Sequence, residues 1–126
     1  MPRAPLVVLA ALLLTPGLPA QDAAKRIADL TVAYAGQEGH ARTREWTAFL
    51  AGRVRSVRTL PLLSLSAETV KDVDVVIVDA PSPYKPGGIK LTKGPKLSAR
   101  YGKPTVLLGA AGGSTLSKLR IKLDWL

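Results

Sequence analysis

Val73-Asp74-Val75-Val76-Ile77-Val78 is the stretch that decides the fold. Residues 75–78 are four consecutive β-branched side chains with no polar alternation. Such a run fits a strand buried on both faces, as the centre of a parallel sheet requires. Asp79-Ala80-Pro81-Ser82-Pro83 ends it. Upstream, residues 30–35 read as a first strand closed by Gly36, and residues 43–54 read as a first helix. Thr43 is the expected N-cap of that helix, with Trp46, Phe49, Leu50 and Val54 at helical spacing on one face. Residues 56–60 form a second strand stopped by Pro61, and residues 66–70 suggest one or two helical turns. Downstream, residues 81–94 hold three Pro and three Gly, which predicts an irregular excursion. Residues 95–101 suit a short helix with Pro in its first turn and Gly102 past its end. Residues 104–108 are a fourth strand running into Gly109-Ala110-Ala111-Gly112-Gly113. A short helix over 114–119 and a fifth, alternating strand over 120–125 complete the pattern. Apolar runs alternating with helical or loop segments predict a three-layer α/β domain with a parallel sheet of about five strands. Ending on a strand, with no further helix to cover it, suggests a truncated or unusually short member of that class.

The first twenty residues carry a different message. Met1-Pro2-Arg3 is a positive start, residues 6–14 are an unbroken apolar run, and Thr15-Pro16-Gly17 breaks it ahead of the small Ala20. That layout predicts a signal peptide over 1–20, a lead-in over 21–28 and one domain over 29–126. Nine apolar residues fall short of the roughly 20 needed to span a bilayer. The expectation is an exported protein, periplasmic or extracellular, with no stable membrane anchor after cleavage. The chain has no cysteine and a single histidine, His40. Disulfides, thiolate metal sites and cysteine nucleophiles are excluded, and neither a metal nor another cofactor is expected. Beyond residue 20 there are 17 Lys and Arg against 9 Asp and Glu. Six of the basic residues lie between Lys85 and Lys103 with no acidic one among them. The balance favours acidic partners or plain solubility. Nucleic acid is not expected, given export and the absence of aromatic interleaving beyond Tyr84 and Tyr101.

In open parallel sheets, ligands bind beyond the carboxyl ends of the strands. Three segments should meet there. Residues 36–44 place Gly36 and Gly39 before a helix, with His40, Arg42 and Arg44 beside its N-terminus, where an anion could dock. Neither a Walker loop nor the dinucleotide Gly-x-Gly-x-x-Gly spacing is present. Asp79, at the end of the central strand, could orient a ligand hydroxyl or act as a base, or equally bond the backbone of the next turn. The third segment, residues 109–113, has the spacing of a Gly-x-nucleophile-x-Gly elbow, with Ala111 at the nucleophile position.

Together these segments resemble the class I glutamine amidotransferase-like branch of flavodoxin-like folds, specifically its carbohydrate-associated ThuA-like and secreted relatives. The resemblance covers about residues 29–125. It is carried by Thr31-Val32-Ala33-Tyr34-Ala35-Gly36 with Gly39-His40, by the residues 73–79 strand, by Lys103-Pro104-Thr105-Val106-Leu107-Leu108-Gly109 and by the elbow. It implies a flavodoxin-like sheet. Ala111 stands where those enzymes carry cysteine, and no histidine follows the elbow, so glutamine hydrolysis is not implied.

The leading expectation is a non-catalytic exported domain that binds a small polar or anionic ligand, carbohydrate-derived in one version. His40, Arg42 and Arg44 would supply polar contacts, and Gly36, Gly39, Gly109 and Gly112 would allow close backbone approach. Two alternatives are an extracytoplasmic enzyme acting on a sugar derivative, with His40 and Asp79 as its acid/base pair, and an adhesin holding acidic polymer through residues 85–103.

Overall fold

In the computed structural model the described residues are 18–81, 84–85, 88–89 and 93–118. Four parallel strands form one sheet: β1 (Thr31–Gly36), β2 (Ser56–Pro61), β3 (Val75–Val78) and β6 (Thr105–Leu107), in the order β2-β1-β3-β6. Two residues each of β4 (Tyr84–Lys85) and β5 (Gly88–Ile89) pair antiparallel within the Pro/Gly-rich excursion. Among the described residues there are three α-helices: α1 (Leu18–Ala28), α2 (Ala41–Ala51) and α3 (Gly109–Lys118).

The strand with four β-branched residues is central. β3 pairs β1 on one side, Val76 opposite Ala33, and β6 on the other, Ile77 opposite Val106. Val76 and Val78 face one layer with Ala33, Ala35, Leu62, Leu65, Val70, Val73 and Ala111, onto which α3 packs. Val32, Tyr34 and Ile77 face the other, covered by Leu50 of α2 and flanked by Trp46. With a helix on each face, the arrangement is the expected three-layer α/β sheet. β2 is an edge strand and largely exposed, with Val57 and Leu60 partly buried against opposite faces of the sheet.

Local departures from the sequence reading each have a cause. α2 begins two residues before Thr43, because His40 is its N-cap: the His40 Nδ1 accepts the Arg42 N–H at 3.2 Å. Thr43 is buried one turn in and donates its hydroxyl to the Gln37 carbonyl at 2.6 Å. Residues 66–70 form turns rather than a helix. The Ser66 and Thr69 hydroxyls bond to each other and to nearby backbone, and such bonds compete with helical ones. Residues 95–101 are not helical either. Gly94 lies against α3, its N–H donating to the Ser114 hydroxyl at 3.0 Å, and a Cβ there would sit 2.9 Å from the Thr115 nitrogen. Pinned in this way, the segment still directs Leu97 and Tyr101 into the core. α3 starts at Gly109, not Ser114, so the glycine run is itself helical.

α1 spans the junction where the sequence places signal cleavage, and residues 21–28 of it are exposed. The apolar run at 6–14 and the fifth strand at 120–125 lie outside the described residues.

Candidate functional site

After β1 the chain crosses to β2 on one side of the sheet; after β3 it goes to β6 on the other. The connections therefore diverge between the carboxyl ends of β1 and β3, which is where open α/β sheets form their ligand crevices. Asp79 sits at this point, one residue beyond β3 and 1% exposed. Its N–H donates to the Ala35 carbonyl at 3.0 Å, which continues the β1–β3 ladder by one residue. The carboxylate Oδ2 accepts from the Tyr34 hydroxyl at 2.8 Å and from the Arg42 Nε at 2.6 Å. Asp79 and the 36–44 segment, two of the three expected to meet here, thus converge with Tyr34 of β1 on one oxygen.

Electrostatics follow from this geometry. Burial is the main cause that pushes the Tyr34 hydroxyl well above its ordinary range, and its bond to Asp79 adds to the effect. The same carboxylate raises the Arg42 guanidinium further, chiefly through their hydrogen bond. Asp79 Oδ1, by contrast, is buried with no hydrogen-bond partner among the described residues. Native proteins rarely leave such an atom unsatisfied. It faces the strand-to-helix turn at Gly109, where a Cβ would come within 3.9 Å.

The four glycines divide into two kinds. Gly39 and Gly109 have φ values of +71° and +57°, a region that side chains disfavour; a Cβ at Gly39 would meet nothing within 4 Å, and one at Gly109 would make ordinary contact with Asp79 Oδ1. Gly36 and Gly112 are approached by the protein itself. A Cβ at Gly36 would lie 2.5 Å from the Tyr34 ring and 2.9 Å from the Asp79 carbonyl oxygen; one at Gly112 would lie 2.7 Å from the Leu107 carbonyl carbon. Their bare backbones serve internal packing. Ala111 is fully buried within α3, so the residue at the elbow with positive φ is Gly109 rather than Ala111.

The two arginines part company. Arg42 reaches over Asp79 and lines a recess on α2 with Glu45, Trp46 and Phe49. Arg44 donates to the Gly39 carbonyl at 2.6 Å and lines a different hollow, next to Thr43, Thr47 and Thr59 at the end of β2. A joint clamp by the pair is not formed. His40 is engaged as the helix cap and makes no hydrogen bond to Asp79. In the basic segment Lys93, Lys96 and Arg100 are exposed, whereas the Lys103 ammonium donates to the Lys71 and Val73 carbonyls at 2.8 and 2.7 Å. Lys90 lies outside the described residues. Sequence reasoning missed Tyr34. Its one signal was a large phenol in an otherwise small-residue strand, two positions before Gly36.

No group of His, Asp or Glu that could hold a metal ion occurs among the described residues, and no helix there is long and apolar enough to cross a membrane. No family model, curated protein or solved structure matches the chain.

Proposed function

We propose that this is an exported, non-catalytic α/β domain, similar to the amidotransferase-like branch of flavodoxin-like folds, that binds a small hydroxylated anion between β1 and β3. The observation that carries this reading is Asp79 Oδ1, a buried acceptor without a donor among the described residues, at the point where the sheet's connections diverge. A ligand hydroxyl supplies the missing donor. Arg42 is held by its Nε, and its side chain is 47% exposed, so its outer fork is free to take the anionic group of the same ligand. Gly109 keeps the approach to Oδ1 clear of a side chain, whose Cβ would lie 3.9 Å from that oxygen. Export rests on the layout of residues 1–20.

Calorimetric titration with gluconate and with glycerol phosphate tests the reading, since both pair hydroxyls with an anionic group and neither has a sugar ring. Binding should weaken at least about tenfold in Arg42→Ala, one charge-assisted bond being lost. It should weaken likewise in Asp79→Asn. Affinity unchanged in both variants, or no binding of either probe to the parent protein, overturns it.

A further inference from the structure

We propose that the flank of α2 formed by Arg42, Glu45, Trp46 and Phe49 is a platform for a pyranose ring. These residues fall at i, i+3, i+4 and i+7, so they form one stripe along the helix. In an ordinary surface helix the apolar members of such a stripe face the core. Here Phe49 is 50% exposed, and Trp46 is only partly covered. Together with Arg42 and Glu45 they line a recess of about 280 Å³.

The aromatic corner is held in place from behind. Trp46 stacks on buried Tyr34 with centroids 6.4 Å apart and planes at 27°. Phe49 meets Trp46 edge-on, at 5.9 Å and 84°, and the Arg53 guanidinium packs over the Phe49 ring at 3.9 Å. Two nearly perpendicular rings give an apolar wall against which the C–H face of a sugar can lie. Polar heads flank it on the same stripe. Helical spacing places Glu45 beside Arg42, but the ion pair Arg42 makes is with Asp79, through its Nε, and not with Glu45. Glu45 has no ion-pair partner among the described residues and remains an acceptor, while the Arg42 fork remains a donor.

A donor and an acceptor side by side along an aromatic wall match a ring that carries hydroxyls around its rim and C–H bonds on its face. The recess is at the small end of small-molecule sites and takes one ring. A protein partner would require roughly 800 Å² on each side, with charged groups depleted at the centre. The platform shares Arg42 with the strand-end crevice but does not depend on ligand binding there.

Trp46 emission reports occupancy directly in a Trp125→Phe background, which leaves one tryptophan. Titration with glucose and with glucuronate should give a saturable blue shift, and sorbitol, an uncharged polyol without a ring, should give none. Phe49→Ala and Glu45→Ala should each weaken the response about five- to tenfold, as expected for one stacking or hydrogen-bonding contact, with thermal midpoints close to the parent's. Because both side chains are exposed, loss of folding would not mask the result. No response to either pyranose overturns the proposal, as does parent-like affinity in Phe49→Ala. A response to sorbitol equal to that of glucose also overturns it, since the ring would then not be what is recognised. A concentration-dependent shift without sugar would assign the flank to a second copy of the chain instead.

Discussion

At the scale of single residues, the Asp79 carboxylate organises its surroundings, and its partners respond to its charge. Tyr34 gives the clearest measurable consequence. Its folded-state pKa lies above its unfolded value, ordinarily 10. Its contribution to stability is therefore complete below about pH 10 and is lost as pH climbs through the folded value. Alkaline denaturation followed by circular dichroism should show a steeper fall above pH 10 for the parent than for Tyr34→Phe. Part of the fall will remain in the variant, because burial also raises the Tyr101 hydroxyl. At neutral pH the same substitution removes a buried hydrogen bond and should cost about 1–3 kcal/mol in urea titrations. His40 permits a second check. As the N-cap of α2, it should cost about 0.5–2 kcal/mol when replaced by Ala and almost nothing when replaced by Asn, a stronger capping residue. Asp79 was legible as a strand-end carboxylate from its place after four β-branched residues. Its partners were not, because Tyr34 and Arg42 lie 45 and 37 residues away and no local pattern encodes that contact.

At the scale of elements, the glycine run at 109–113 taught most. Its composition argues against a helix, since each glycine costs up to about 1 kcal/mol relative to alanine. Nevertheless α3 begins there, because packing onto β6 needs a backbone without side chains at Gly112, directly against Leu107. The two neighbouring glycines should consequently answer in opposite directions to the same change. Gly112→Ala forces a Cβ into backbone and should destabilise by about 1–3 kcal/mol despite its better helix propensity. Gly113→Ala meets nothing within 4 Å and should stabilise by about 0.5–1 kcal/mol. Thermal melts of the two variants decide the matter. The elbow was readable as a strand-to-helix turn. Its register was not, because only the φ of +57° at Gly109 shows which residue makes the turn.

At the scale of the molecule, the parallel sheet was visible from the uniform burial implied by residues 75–78, and β3 does lie inside it. The unequal cover of its two faces was not visible. α3, the turns after β2 and the segment around Leu97 close one face, whereas α2 lies over only part of the other. Val106, opposite Ile77 on that second face, is 46% exposed. The helical spacing of Trp46, Phe49, Leu50 and Val54 had placed all four on one face of the helix. In fact Leu50 is buried and Phe49 is not, because the apolar arc is wider than the contact with the sheet. Net charge was likewise legible in amount but not in use.

Lys103 gives that last point a practical form. Its ammonium bridges two carbonyls 30 and 32 residues away, at the amino end of β3, and so acts as a latch rather than as part of a basic surface. Nucleophilic amines in such a latch are shielded until it opens. In a pulse of amine-acylating reagent analysed by peptide mass mapping, Lys93 and Lys96 should label at once and Lys103 slowly. The rate at which Lys103 acquires the tag would then time the opening of the sheet's amino end, a local clock built into the protein's own chemistry.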